Sequence, residues 1–408
     1  MRIKWISEMG PGALVAAAFI GPGTVTVCTI AGAEFGPRLL WALLLSMGLT
    51  LLLQEMAARL GLISQKGLAE VVKSRMKQPI VRWLVVGLML SAIVIGNAAY
   101  EAGNISGGAM GLQILWGASP FLIGRFQLEI GPLIIGVISF ALLYVGRYKV
   151  IERVLIGMVI LMSVSFLIAA VITRPDILRL VKGLIVPDIP KGSLLTIVGL
   201  IGTTVVPYNL FLHAALVKMK WSGPEAIPLA RRDAFFSILL GGIVSMGIVV
   251  AASSIMGENV HSAVDLARSL EPVYGHFARY LMAIGLFSAG VTSAITAPLA
   301  AAWVAKESLS WPGGMRSMRF RMVWIFILVS GVFFSTVGWK PIDIIRFAQF
   351  TNGILLPVIA AILLWVVNRP AIMGKYTNSR WQNAGGIVLL GVVILLGAKS
   401  VMSVLGLL

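Results

Sequence analysis

Long apolar runs separated by short polar ones dominate this chain, and the runs have the length that a bilayer core demands of a helix. They predict about eleven transmembrane spans, near 12–33, 39–61, 83–116 (one long, glycine-interrupted span), 131–146, 151–173, 193–217, 233–255, 277–304, 322–338, 342–367 and 384–406. No hydrophilic stretch is long enough for a second domain, so the expected architecture is one all-α integral membrane unit over 1–408. One run breaks where a membrane helix should continue. Residues 18–36 read AFIGPGTVTVCTIAGAEFG, and Gly21-Pro22-Gly23-Thr24 brings a residue without a backbone donor and two poor helix formers into its middle. Span six repeats the feature: from Gly199 to His213 it reads GLIGTTVVPYNLFLH, with Gly202-Thr203-Thr204 ahead of Pro207-Tyr208-Asn209.

Breaks matched five spans apart are the pattern of two inverted five-helix repeats whose first helices unwind around a central site. Exposed backbone is tolerated there because it lines a cavity and not lipid. A pair of simple proline kinks is the plainer alternative, and the pairing argues against it. Gly21 and Gly23 are no dinucleotide loop, since the third glycine and the preceding strand are missing.

Composition agrees with the pattern. The 408 residues are 58% hydrophobic and only 12% charged, and the mean hydropathy is +0.95, a balance that excludes a soluble domain. The formal charge of +17 could suggest nucleic acid, but the basic residues are scattered over short loops without a long Lys/Arg run. Segments on the N-terminal side hold roughly twice as many Lys and Arg as those on the other, which by the positive-inside rule puts the N-terminus in the cytoplasm and the C-terminus outside a cell membrane. The basic start and apolar stretch of Met1 to Gly23 read as a retained first helix, because the apolar character continues to Ala33. A single cysteine, Cys28, rules out an intrachain disulfide and reads as a packing residue.

The stretches IGPGTVTVCTIAGAEFGPRLLWALL and GTTVVPYNLFLHAAL, together with the region from Gln349 to Pro357, resemble the Nramp divalent-metal transporters. The resemblance implies a LeuT-type (APC superfamily) fold of about eleven helices: a 5+5 inverted repeat over 12–173 and 193–367 with helices 1 and 6 broken, and an extra helix at 384–406. It also implies alternating access about a midplane site. Nramp proteins carry Asp-Pro-Gly-Asn in span one and Ala-x-x-Met-Pro-His-Asn in span six. Here the carboxylate, the amide, the thioether and the nearby histidine are replaced by Gly21, Thr24, Val206 and Tyr208, so none of the usual Nramp metal ligands except the backbone breakers remains.

A desolvated divalent ion needs anionic or strongly dipolar ligands, and transition metals favour mixed oxygen, nitrogen or sulfur sets. The positions Gly21, Gly23, Thr24, Thr26, Thr203, Thr204, Val206, Tyr208, Asn209 and Gln349 offer hydroxyls, amides and carbonyls without charge. The half-helix N-termini offer positive dipole ends. The expectation is a secondary transporter of a small oxyanion, with bicarbonate leading. The alternatives are a proton-coupled divalent-metal (Mn2+ or Mg2+) transporter and a carrier of an amino acid or small carboxylate. No cofactor is implied beyond a coupling Na+ or H+. The partners are a small solute and the bilayer, with no nucleic acid, and the chain is expected to work as a monomer.

Coupling has two candidate routes. Glu101, deep in span three, falls where the Nramp proton route has an acidic residue; its alternative is a structural anchor bonded to Asn97, Asn104 or Tyr100. His213 shares a face with Asn209 and is either pH-sensitive or held by a helix-terminal hydrogen bond. For sodium, Thr292 and Ser293 of span eight lie where LeuT-type symporters supply hydroxyls, with carbonyls near Ile20 and Gly23 completing an oxygen shell. Bonding of those hydroxyls to their own helix is the alternative. Thr351 and Asn352 add polar groups to span ten. Glu55 is expected to pair with Arg59 at i+4, and Gly103, Gly107 and Gly111 form a close-packing seam. The sequon Asn104-Ile105-Ser106 lies in the membrane and is unusable. A channel lacks a repeated filter motif. An intramembrane enzyme lacks HExxH, and His213, His261 and His276 form no pair with a nucleophile.

Overall fold

A computed structural model describes residues 20–75, 78–117, 121–123, 126–146 and 149–404 of the chain. The expected first half of span one, 12–19, lies outside the described residues. The membrane helices follow the expected order. They are α1 (Pro22–Phe35), α2 (Leu40–Ser64), α3 (Pro79–Trp116), α4 (Ile130–Val145), α5 (Lys149–Ile172), α6a (Leu194–Thr204), α6b (Pro207–Lys220), α7 (Ile227–Ala252), α8 (Ala278–Leu309), α9 (Met318–Thr336), α10 (Pro341–Val367) and α11 (Arg380–Val404). Among the described residues nine helical stretches are long and apolar enough to cross a membrane. One of them, Pro22–Ser64, is divided into α1 and α2 by a 3-10 turn at Gly36–Leu39, where Gly36 takes φ +59° and Pro37 follows it. Helix α4, at 16 residues, is shorter than a perpendicular span requires. The only strands described, Phe121–Ile123 and Phe126–Leu128, form a small antiparallel hairpin between α3 and α4.

One sequence expectation changes in detail. Span three is one unbroken helix of 38 residues, so its glycines do not interrupt it. They are contact points instead. A Cβ at Gly103 would stand 3.1 Å from Ala348 of α10, at Gly107 2.1 Å from Pro22 of α1, and at Gly111 2.4 Å from the Ala283 carbonyl of α8. The seam therefore lets one helix approach three different neighbours, with α8, α9 and α10 packed along its length.

The interior is apolar and continuous, running through α1, α2, α3, α6, α7, α8 and α10. Large apolar side chains such as Val137, Val171 and Leu395 point outward, as lipid-facing surfaces do. The stretch Leu194–Lys220 is the most enclosed of the candidate spans. Helix α6a lies against α10 so closely that a Cβ at Gly202 would stand 1.9 Å from the Gln349 carbonyl, and one at Gly353 2.6 Å from the Val198 carbonyl. Only glycine fits such a backbone approach.

Charged residues gather at the ends of the helices. Glu55 meets Arg59 at 3.0 Å and Arg231 of α7 at 2.7 Å, while Arg59 also bonds to Tyr376 and Asn378 ahead of α11. The expected Glu55–Arg59 pair is thus the hub of a junction between α2, α7 and the approach to α11.

Candidate functional site

Both breaks end in the same local structure. Helix α1 begins at Pro22 with Gly21 as N-cap, and α6b begins at Pro207 with Val206 as N-cap. Proline at the first helical position costs no hydrogen bond, because that N–H would be unpaired anyway. Between α6a and α6b the chain leaves helical geometry at Val205 (φ −104°, ψ 80°) and Val206 (φ −78°, ψ 120°). Neither N-cap makes a side-chain cap bond, and neither helix has an acidic residue in its first turn. Two positive dipole ends therefore sit in the protein interior without a compensating carboxylate on their own helices.

The structure brings several expected residues together across these breaks. The Thr24 and Thr203 hydroxyls lie 2.7 Å apart and tie α1 to α6a. Gln349 of α10 lies over Gly23, where a Cβ would stand 2.0 Å from the amide nitrogen. Tyr208 meets Tyr100 of α3 edge to face, with ring centroids 5.6 Å apart. The Tyr100 hydroxyl in turn lies 3.6 Å from where a Gly21 Cβ would stand. Thr26, Asn209 and Gln349 are buried, and the Thr26 Oγ1, both Asn209 amide atoms and the Gln349 Oε1 have no hydrogen-bond partner among the described residues. Unpaired buried polar groups are costly and call for an explanation. Thr26 lies on α1 two residues past Thr24, Asn209 lies in the first turn of α6b and Gln349 lies over Gly23, so these donors and acceptors accompany the two helix starts. Val206 is buried at the break and contributes a carbonyl, which accepts from the Asn209 N–H at 3.0 Å.

Other expected residues stand elsewhere. The Thr204 hydroxyl donates to the Leu200 carbonyl at 2.8 Å, within its own helix, so it is not aimed at the centre. Thr292 donates to the Ser288 carbonyl at 2.9 Å in the same way. A threonine inside a helix satisfies its hydroxyl most cheaply on the preceding turn. Ser293, by contrast, lies 3.2 Å from a Cβ position at Gly21, beside buried Ile20. Of the two hydroxyls expected for a coupling ion, only Ser293 reaches the break.

Glu101 is fully buried and packs against α9: a Cβ at Gly331 would stand 2.5 Å from its Cγ. Asn104 donates to its Oε2 at 3.4 Å, while Oε1 has no partner among the described residues. Its anchor is Asn104, and no bond to Asn97 or Tyr100 is made. His213 does not bond to a helix end. Its Nδ1 donates to the Gln54 Oε1 of α2 at 2.5 Å and its Nε2 is unpaired among the described residues. Thr351 bonds to the Phe347 carbonyl, and Cys28 is buried in the core. Sequence reasoning missed Arg346 and Thr196. Both line a recess beside the site, and the one available sequence signal was a basic residue inside span ten, one helical turn before Gln349. Among the described residues, no group of three or more His, Cys, Asp or Glu is placed to hold a metal ion.

A helix broken inside an apolar helical bundle, with uncharged polar groups at the break, is the arrangement of a membrane carrier. Comparison with known proteins makes this specific. Residues 12–403 match the family described as natural resistance-associated macrophage protein-like, or Nramp, and the chain belongs to that family. It is 27% identical over 401 residues to a divalent metal cation transporter MntH of Klebsiella pneumoniae (strain 342), covering 95% of this chain and 92% of the relative. A metal transporter nramp1 homolog of Dictyostelium discoideum is 28% identical, covering 96% of this chain and 75% of that protein. Crystal structures of a manganese transporter of Eremococcus coleocola superpose with a TM-score of 0.77 at 20% identity, covering 98% of this chain and 88% of theirs. The fold is therefore the LeuT type, and the chain is a multi-pass membrane transporter and not an enzyme.

Proposed function

We propose that this protein is a secondary transporter that carries a small inorganic ion by alternating access about the centre bounded by Thr24, Thr203, Asn209 and Gln349. The observation that carries this reading is the break at Val205–Val206 joined to the start of α1 through Thr24 and Thr203, with buried polar atoms on α1, α6b and α10 that have no partner among the described residues. Spans 12–173 and 193–367 would be the two repeats, with α11 outside them, the N-terminus cytoplasmic and the unit monomeric.

Two cargoes have support. The names of the relatives support a divalent metal cation, manganese among them; proton coupling would use Glu101 as the buried acid at hand, and magnesium is the cation that neutral oxygen ligands suit. At this centre such an ion would meet neutral oxygens only and would keep part of its water. That suits a hard, strongly hydrated cation better than a transition metal seeking nitrogen or sulfur. A small oxyanion such as bicarbonate has support from a different observation: two uncapped helix N-termini with no acid in either first turn. Sodium held near Ser293 and the carbonyls around Ile20 would then supply a countercharge.

Uptake into proteoliposomes separates the two. Labelled bicarbonate, manganese and magnesium are each compared with and without an imposed sodium or proton gradient. Bicarbonate uptake with no manganese uptake would discard the cation; the reverse would discard the anion. Failure of all three would discard a small inorganic cargo.

A further inference from the structure

We infer that Arg346 and Thr196 form an accessory oxyanion subsite in the recess next to the central site, on the side of the α1–α2 turn, where the ion is collected before it passes Gln349. This rests on the oxyanion reading above and assigns that reading an entry point. The recess is lined by Val27 and Ile30 of α1, Leu195, Thr196 and Gly199 of α6a, and Arg346 of α10. It therefore opens between the two helices that bear the breaks and the helix that covers them.

Three observations give it a ligand. First, the Arg346 guanidinium makes no hydrogen bond among the described residues. Its one ionic neighbour, Glu34, is at the limiting distance of 4.0 Å, and both side chains keep about a third of their exposure. Such a pair leaves most of the planar donor fork uncommitted, and that fork matches two oxygens of a carbonate-like anion. Second, Thr196 is 3% exposed, lines the same recess, and its Oγ1 has no partner among the described residues. A hydroxyl buried at that cost is a third donor next to the fork. Third, the recess abuts the centre. Gly199 lines it and also lies against the Gln349 side chain, with 4.0 Å between a Cβ position and the Gln349 Cβ. Arg346 is three residues before Gln349, and so on the same face of α10. Gln349, lying over Gly23, is thus the partition between the recess and the paired threonines.

A fixed positive charge in a narrow, low-dielectric mouth raises the local concentration of anions and repels divalent cations. The subsite should act on capture and leave the later steps alone. In proteoliposomes with labelled bicarbonate, Arg346→Gln should raise KM about tenfold with kcat within about twofold of the parent, Arg346→Lys should recover part of the loss, and Thr196→Val should raise KM about threefold. Retention times on size exclusion and thermal melting temperatures, matched to the parent, establish that the variants are folded. If the parent transports bicarbonate but Arg346→Gln leaves KM unchanged, the subsite is wrong and the central oxyanion reading stands. If the parent takes up manganese or magnesium and no bicarbonate, both fall together.

Discussion

The hydroxyl of Thr24 and the hydroxyl of Thr203, 179 positions apart in sequence, meet at 2.7 Å between the two helices that start or stop inside the membrane. The contact is the shortest polar link described between α1 and α6a. Any solute entering between these helices must lengthen it or replace it.

Replacing either threonine by valine removes that link and leaves one hydroxyl buried. Thr203→Val should lower stability by about 1 kcal/mol and transport of the parent's cargo by more than tenfold. Initial uptake rates at matched protein density, with melting temperature as the fold control, check both. Rates near the parent's would remove this pair from the site.

The glycines at the α6a–α10 contact should not tolerate even one methyl. Gly202→Ala places a Cβ 1.9 Å from a backbone oxygen that cannot move aside alone, and overpacking of this kind costs about 1–3 kcal/mol or more. Gly157→Ala, on α5, meets nothing within 4 Å and should be neutral or slightly stabilising. Melting temperatures of the two variants, compared with the parent, measure the difference.

Glu55 serves Arg59, Arg231 and Gln382 together. Glu55→Gln leaves Arg59, 3% exposed, with a buried charge and only neutral acceptors. The expected loss is about 3–5 kcal/mol, the range for a broken buried pair, and Arg231→Gln should cost far less, because its side chain is half exposed. Similar losses in the two variants would show that the junction is not organised around Glu55.

Asp188 lies outside the spans, and the hydrogen bond from the Arg38 side chain holds its carboxyl below the ordinary aspartate value. A depressed native pKa means that the pair stabilises the fold at and above the usual carboxylate range, and that this contribution is lost as pH falls through the lowered value. The difference in melting temperature between the parent and Arg38→Gln should be small and constant from pH 8 to pH 5. It should shrink as the pH falls below about 4 and vanish only once the pH is below the lowered value. A difference that grew in acid would contradict the assignment.

Restoring metal-type ligands tests how much of the family's chemistry the scaffold still accepts. Gly21→Asp would put its Cβ 3.2 Å from the Ser293 hydroxyl, a tight but polar neighbour that could donate to the new carboxylate. Combined with Thr24→Asn and Val206→Met, it should shift uptake toward manganese by at least tenfold relative to bicarbonate. No shift would mean that Tyr208 or Gln349 also excludes the metal.

The order of the spans, the break in span six and the helix start at Pro22 were legible because length, proline and glycine are properties of the chain itself. The break at Val205–Val206 follows directly from Gly202 and Pro207 around it. Rotamers were not legible. Thr204 and Thr292 look like their neighbours in sequence, yet each spends its hydroxyl on the turn before it, whereas Thr203 and Ser293 face the breaks. Nor was the neighbour of Glu101: the sequence places it deep in span three, but its contact with α9 at Gly331 depends on how the helices pack. Arg346 was hidden by its place near a span boundary, where a basic residue is usually a topology signal.

The backbone approach at Gly202 and Gly353 has a mechanical corollary. Two helices in such close main-chain contact at these glycines resist sliding past each other and should travel together. In alternating access the swinging parts would then be α1 on one side and α6b, beyond the two-residue joint at Val205–Val206, on the other. A crosslink that welds α6a to α10 should leave turnover intact, while one that welds α1 to α6a should stop it.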